Sequence, residues 1–137
     1  MPFVLDASVT LSWHLTDENS DYGTAVLDYL GLDDAVVPAL WLTEVANGLL
    51  IAQRRQRISE AEVDEAIRLT LASPIRVQEP VREFLLRTTL ETARRFGLTA
   101  YDAAYLNLAV SLSVPLATLD NDLIEAAPKA GVELLAP

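Results

Sequence analysis

The sequence predicts an α/β fold: a three-layer α/β/α sandwich around a central, mostly parallel sheet of four to five strands. Three observations carry this. Short apolar, β-branched runs alternate with longer segments of helical spacing, and strands separated by helical crossovers pair in parallel, with helices on both faces. The runs FVL and AVV are apolar at every position, as in strands covered on both sides. No composition shift, Gly/Ser-rich linker or internal repeat divides the 137 residues, so a single domain over 1–137 is expected.

The elements follow in order. FVL (3–5) is the first strand, and ASVTLSWHL and ENSDYGTAVLDYLG are helices. AVVP (35–38) is a second strand, ended by its proline. ALWLTEVANGLLIAQRRQ is a helix finishing in arginines, which suit the negative end of its dipole. Ser59 and Glu62 form a capping box that opens SEAEVDEAIRLTLAS. IRVQEP (75–80) is a third strand, and Gly97 closes the helix VREFLLRTTLETARRFG. Thr99 caps TAYDAAYLNLAVSLS, PLATLD (115–120) is a fourth strand, DLIEAAPKAG a short helix, and VELL (132–135) a last edge strand.

Twenty acids against ten bases give a net charge of -10, which argues against binding nucleic acid through a basic surface. It leaves room for a protein in which bound cations meet the phosphates. The chain has no cysteine, so disulfides and thiolate metal sites are excluded, as suits a reducing cytoplasm. Asp6 interrupts the first apolar run, unlike a signal peptide, and no stretch has the length and apolarity of a membrane span. A cytoplasmic protein without membrane contact is expected.

Three long apolar segments carry one formal charge each, with His14 taken as neutral: Asp6 between Met1 and Thr16, Glu44 between Ala35 and Gln53, and Asp102 between Leu98 and Leu119. All three are negative. Charged groups are rarely buried without a partner, and acids gathered together raise one another's pKa. Asp6 and Asp120 each follow a strand, so in a parallel sheet both stand at carboxyl ends, where open α/β sheets bind ligands. Asp102 falls in the first turn of a helix. Glu44 lies one turn into a helix whose other polar side chains between Ala39 and Ala52 are Thr43 and Asn47. Each acid also has a plainer role: Asp6 as a helix cap, Asp102 as complement to a helix dipole, Asp120 as an Asx-turn residue. An interior helical Glu44 has no cap to make. Converging oxygen ligands without cysteine, and with His14 the sole histidine, favour a hard cation, Mg²⁺ or Mn²⁺. Such a cluster suits phosphodiester cleavage, in which the cation activates water and neutralises charge on the phosphate oxygens.

VLDAS, TEVANGL, YDAAYLNLA and LATLDNDL, in that order along the whole chain, resemble the PIN-domain ribonucleases, most of all the small VapC toxins of bacterial and archaeal toxin–antitoxin pairs. Asn47 after Glu44 and Tyr101 beside Asp102 belong to the same ordered set. The resemblance implies a PIN-like fold, Mg²⁺- or Mn²⁺-dependent endoribonuclease activity on RNA leaving 5′-phosphate and 3′-hydroxyl ends, frequent homodimerisation, and neutralisation by a small VapB-like antitoxin. By position it implies Asp6, Glu44, Asp102 and Asp120 as the catalytic acids. It makes Asp6, Asp102 and Asp120 the metal-ligand candidates, with Glu44 and Asp122 as further ones, and implies that Ser8, Asn47 and Thr118 line the pocket. Asp122 either takes part at the metal or caps DLIEAA. Two rival readings are a non-catalytic PIN-like interaction module and a haloacid-dehalogenase-like phosphatase. The phosphatase chemistry asks for a second aspartate where this chain has Ser8.

The remaining features read more plainly. QRRQR (53–57) and Arg94–Arg95 are too limited for an extended RNA-binding face and read as solvated helix ends. His14, beside Trp13 and Leu15, reads as packing rather than as a base. Trp13, Trp41, Tyr101 and Tyr105 read as core or dimer contacts, and Phe84, Leu85, Thr88 and Thr92 as an amphipathic stripe.

Overall fold

The computed structural model describes all 137 residues. Four short strands, β1 (Phe3–Leu5), β2 (Ala35–Val37), β3 (Ile75–Val77) and β4 (Leu116–Ala117), form one parallel sheet in the order β3-β2-β1-β4. Val4 pairs with Val36 on one side and Leu116 on the other, which makes β1 a central strand. β1, β2 and β4 are buried at every position, and the outer strand β3 keeps exposed side chains. The α/β architecture read from the sequence is thus the one observed.

Seven helices surround the sheet: α1 (Ala7–His14), α2 (Asp21–Leu30), α3 (Leu40–Arg54), α4 (Glu60–Ala72), α5 (Arg82–Phe96), α6 (Ala100–Leu112) and α7 (Asn121–Lys129). α1 packs on α2 and α3, and α3 on α4; α6 packs on β1 and joins α5 and α7. From Ala103 to Ala109 every residue of α6 is buried, including Tyr105 and Asn107. A helix enclosed all round must be apolar all round, as AYDAAYLNLAV very nearly is. α5 is the opposite case: an outer helix with no fully buried residue.

Local chemistry sets the ends. Ser59 and Glu62 form the reciprocal capping box that opens α4. Gly97 closes α5 at φ 65, a left-handed conformation that costs glycine little. The second helix starts at Asp21 rather than Glu18, because Thr16–Glu18 forms a 3₁₀ turn and the Ser20 hydroxyl accepts from the Gly23 amide. α3 stops at Arg54, since Gln56 adopts φ 60; Arg57 then leaves the helix direction and clamps Asp17 and Glu18 of the 3₁₀ turn.

The expected edge strand at VELL is corrected: Leu134 contributes one parallel bridge to Leu116 and no strand. The physical reason is the brevity of β4. Beyond Ala117 the chain leaves the ladder, and its polar groups turn to side-chain partners around Asp6.

Candidate active site

β1 and β4 lie side by side, so the turns that follow them meet at their carboxyl ends. Strand order reverses at this point, with β2 on the other side of β1, and such a switch point opens a crevice in a parallel sheet. Asp6 holds the N-cap position of α1 yet makes no capping hydrogen bond. Instead its Oδ2 accepts from the Ser8 hydroxyl at 2.6 Å and the Thr118 hydroxyl at 2.8 Å. Ser8 Oγ in turn accepts from the Leu119 amide at 3.0 Å, and Thr118 Oγ1 from the Asp120 amide at 3.0 Å. The two turns are therefore stitched together through one carboxylate that is 4% exposed. Burial pushes the Asp6 pKa up, the two hydroxyl bonds pull against that, and the charge of Asp120 adds to the rise.

Four further acids gather beside it. Asp102 is in the first turn of α6, its amide bonded to the capping Thr99 hydroxyl. Asp120 caps α7, its Oδ1 accepting from the amides of Asp122 and Leu123 at 2.9 and 3.2 Å. Carboxylate oxygens of Asp102, Asp120 and Asp122 lie within 4.8 Å of one another. The Asp102 pKa is pushed up to about 6, first by burial and then by the charges of Asp120, Asp6 and Glu44. Glu44, from α3, accepts a 2.6 Å bond from the Tyr105 hydroxyl; burial raises its pKa, and Asp6 and Asp120 add to the rise. None of the five acids forms an ion pair, although arginines pair elsewhere with Asp17, Glu18, Asp34 and Glu65.

Of the residues singled out in the sequence, Asp6, Ser8, Thr118 and Asp120 form one hydrogen-bonded unit. Asp102 and Glu44 are coupled to that unit by charge. The cap of α7 is Asp120, not Asp122, which is exposed in the first helical turn. Asn47 lies one turn beyond Glu44, exposed and without a side-chain hydrogen bond. Tyr105 is a core residue, as read, but sequence reasoning missed its second role: it anchors Glu44. The available signal was its place three residues after Asp102, which puts both on one helix face. His14 meets the Thr70 hydroxyl of α4 at 3.3 Å, and burial lowers its pKa, in keeping with packing.

The donor set is all oxygen, repels itself and has no arginine or lysine to relieve it. Such a set fits a hard divalent cation, whose direct ligands are carboxylates, carbonyls and waters.

A PIN domain family profile matches residues 3–129. Ribonuclease VapC12 of Mycobacterium tuberculosis, in strains CDC 1551 / Oshkosh and H37Rv, is 34% identical over 134 residues, covering 97% of this chain and 98% of the relative. The crystal structure of PAE2754 from Pyrobaculum aerophilum superposes with TM-score 0.68 at 22% identity, over 91% of this chain and 84% of the other. That of FitAcB from Neisseria gonorrhoeae gives 0.63 at 22%, over 100% and 98%. By the family match along nearly all its length and by its near-full-length likeness to a ribonuclease of that kind, this chain belongs to the PIN domain family.

Proposed function

We propose that the chain is a metal-dependent endoribonuclease and the toxin of a VapBC-type toxin–antitoxin pair, restrained by a small VapB-like antitoxin. The observation that carries this is the unpaired acidic cluster at the carboxyl ends of β1 and β4. The full-length likeness to ribonuclease VapC12 supports the same reading. RNA as substrate implies a cytoplasmic workplace, and the match over 3–129 supports one domain. A homodimer is part of the reading.

In this reading Asp6, Asp102 and Asp120 hold Mg²⁺ or Mn²⁺, and Glu44 and Asp122 complete the acidic wall. When bound, the cation supplies positive charge to the scissile phosphodiester and acidifies the attacking water. The rest is done by the chain itself. Ser8 and Thr118 fix the orientation of the Asp6 carboxylate, so that it need not reorganise when it binds. Asp120 is held in place by the two amides that it caps, and Tyr105 holds Glu44 against the wall.

The test is cleavage of a labelled single-stranded RNA by the purified protein with Mn²⁺, with chelator, and by Asp102→Asn. Cleavage that needs the cation and falls at least about 100-fold in the variant is expected, the scale on which removing a single preorganised polar group from an active site lowers the rate. Equal activity of folded Asp102→Asn and the parent would overturn the site.

A further inference from the structure

Between the end of α5 and one side of α7 lies a cleft of about 320 Å³, bordered by Arg95, Phe96 and Gly97 on one side and Asp122, Glu125 and Lys129 on the other. That volume is within the range of ligand sites, roughly 300–1,000 Å³. Asp122 belongs both to this cleft and to the trio of close carboxylates, so the cleft opens directly beside the acidic cluster. Its two bases come from different helices. Arg95 forms no ion pair; its guanidinium lies 5.1 Å from the centroid of the Phe96 ring. Lys129 is paired with Glu125 at 3.4 Å, with both side chains mostly in water, a pairing weak enough to be exchanged for a better anion.

A polyanion approaching a chain of net charge -10 needs positive groups beside the acids that it must reach. We propose that Arg95 and Lys129 form a backbone-phosphate subsite, holding an RNA phosphate that neighbours the one presented to the acidic cluster. This rests on the ribonuclease reading and adds to it the route by which the strand leaves the cluster, along the α5–α7 cleft. Complementing helix dipoles would explain one base near each helix end. It would not explain why the two bases face one cleft that shares a wall with the acids.

The test measures anisotropy of a fluorescent single-stranded RNA across a salt series in the non-cleaving Asp102→Asn background. Arg95→Gln and Lys129→Gln are each added to that background, and Arg68→Gln on α4 serves as control. Each cleft variant is expected to weaken binding about 3- to 10-fold at low salt and to reduce the log–log salt slope by up to about 0.7, the single-strand value for the one phosphate that the two bases share. The control should not move. In the cleavage-competent parent, Arg95→Gln should raise KM and leave kcat nearly unchanged, which decides the matter if Asp102→Asn binds too weakly to measure. Parental affinity, slope and KM in both cleft variants would overturn the subsite and leave the ribonuclease standing. Failure of the parent itself to bind or cleave RNA would overturn both.

Discussion

Asp6 stands where an aspartate ordinarily caps a helix, and yet its carboxylate is turned to two hydroxyls and an acidic hollow. This arrangement predicts the effect of Thr118→Val. The substitution keeps the shape and removes one of the hydroxyl bonds that offset the burial of Asp6, so the carboxylate becomes harder to ionise and freer to turn. Cation affinity, followed by Mn²⁺ titration, should fall roughly 10- to 100-fold while the fold persists; an unchanged affinity would make Thr118 a packing residue only. At this scale Asp6, Glu44 and Asp102 were legible because each is a lone charge in an apolar segment, a pattern that core packing does not produce, and Asp120 because it follows a strand. Tyr105 was not legible as the partner of Glu44. A tyrosine in an apolar helix satisfies a core equally well, and its contact spans 61 residues of sequence. The sequence offers Asp122 as the cap of DLIEAA; Asp120 takes that place because α7 begins one residue earlier, at Asn121.

Among the elements, several helix boundaries followed readable local chemistry: the side-chain caps Ser59 with Glu62 and Thr99, and the left-handed Gly97 that closes α5. They slipped where the terminator was a backbone conformation of an ordinary residue, as at Gln56. VELL looks like a strand because its composition suits one, but a strand needs a partner of matching length, and two-residue β4 offers only one bridge. Close helix approach gives a prediction here. Helix propensity alone says that Gly23→Ala in α2 should gain stability, by about 1 kcal/mol. Packing says otherwise: a Cβ at Gly23 would overlap the Ser12 hydroxyl of α1, which is buried and bonded to the Val9 carbonyl. Displacing it forfeits that bond, and overpacking typically costs about 1–3 kcal/mol, so a net loss of stability is expected by denaturant titration. A gain would mean that α1 and α2 separate easily.

At the scale of the molecule, the acids set a conflict between stability and charge. The Asp102 carboxyl, ordinarily near 3.8, titrates at about 6 in the folded chain, and Asp6 and Glu44 are shifted the same way. Between those two pH values the folded state holds more protons than the unfolded one. The contribution of Asp102 to stability is therefore present below its unfolded pKa and lost as pH rises through 6. Without divalent ions, the melting temperature should rise as pH falls from 7.5 to 5, and Asp102→Asn should flatten that rise and melt higher than the parent at pH 7.5. Further acidification reverses the trend, because the carboxyls of Asp17, Asp33 and Glu65 are held low by cationic partners that they lose on protonation. A parent curve already flat between pH 5 and 7.5 would refute the coupling. The stitching of Asp6 to Thr118, 112 positions apart, has a last consequence, for biosynthesis. A nascent chain carries β1 and Asp6 long before Thr118, Asp120 and the α7 wall have been translated. The acidic hollow thus cannot exist on a polypeptide whose synthesis has not yet passed α7, however early β1 has formed.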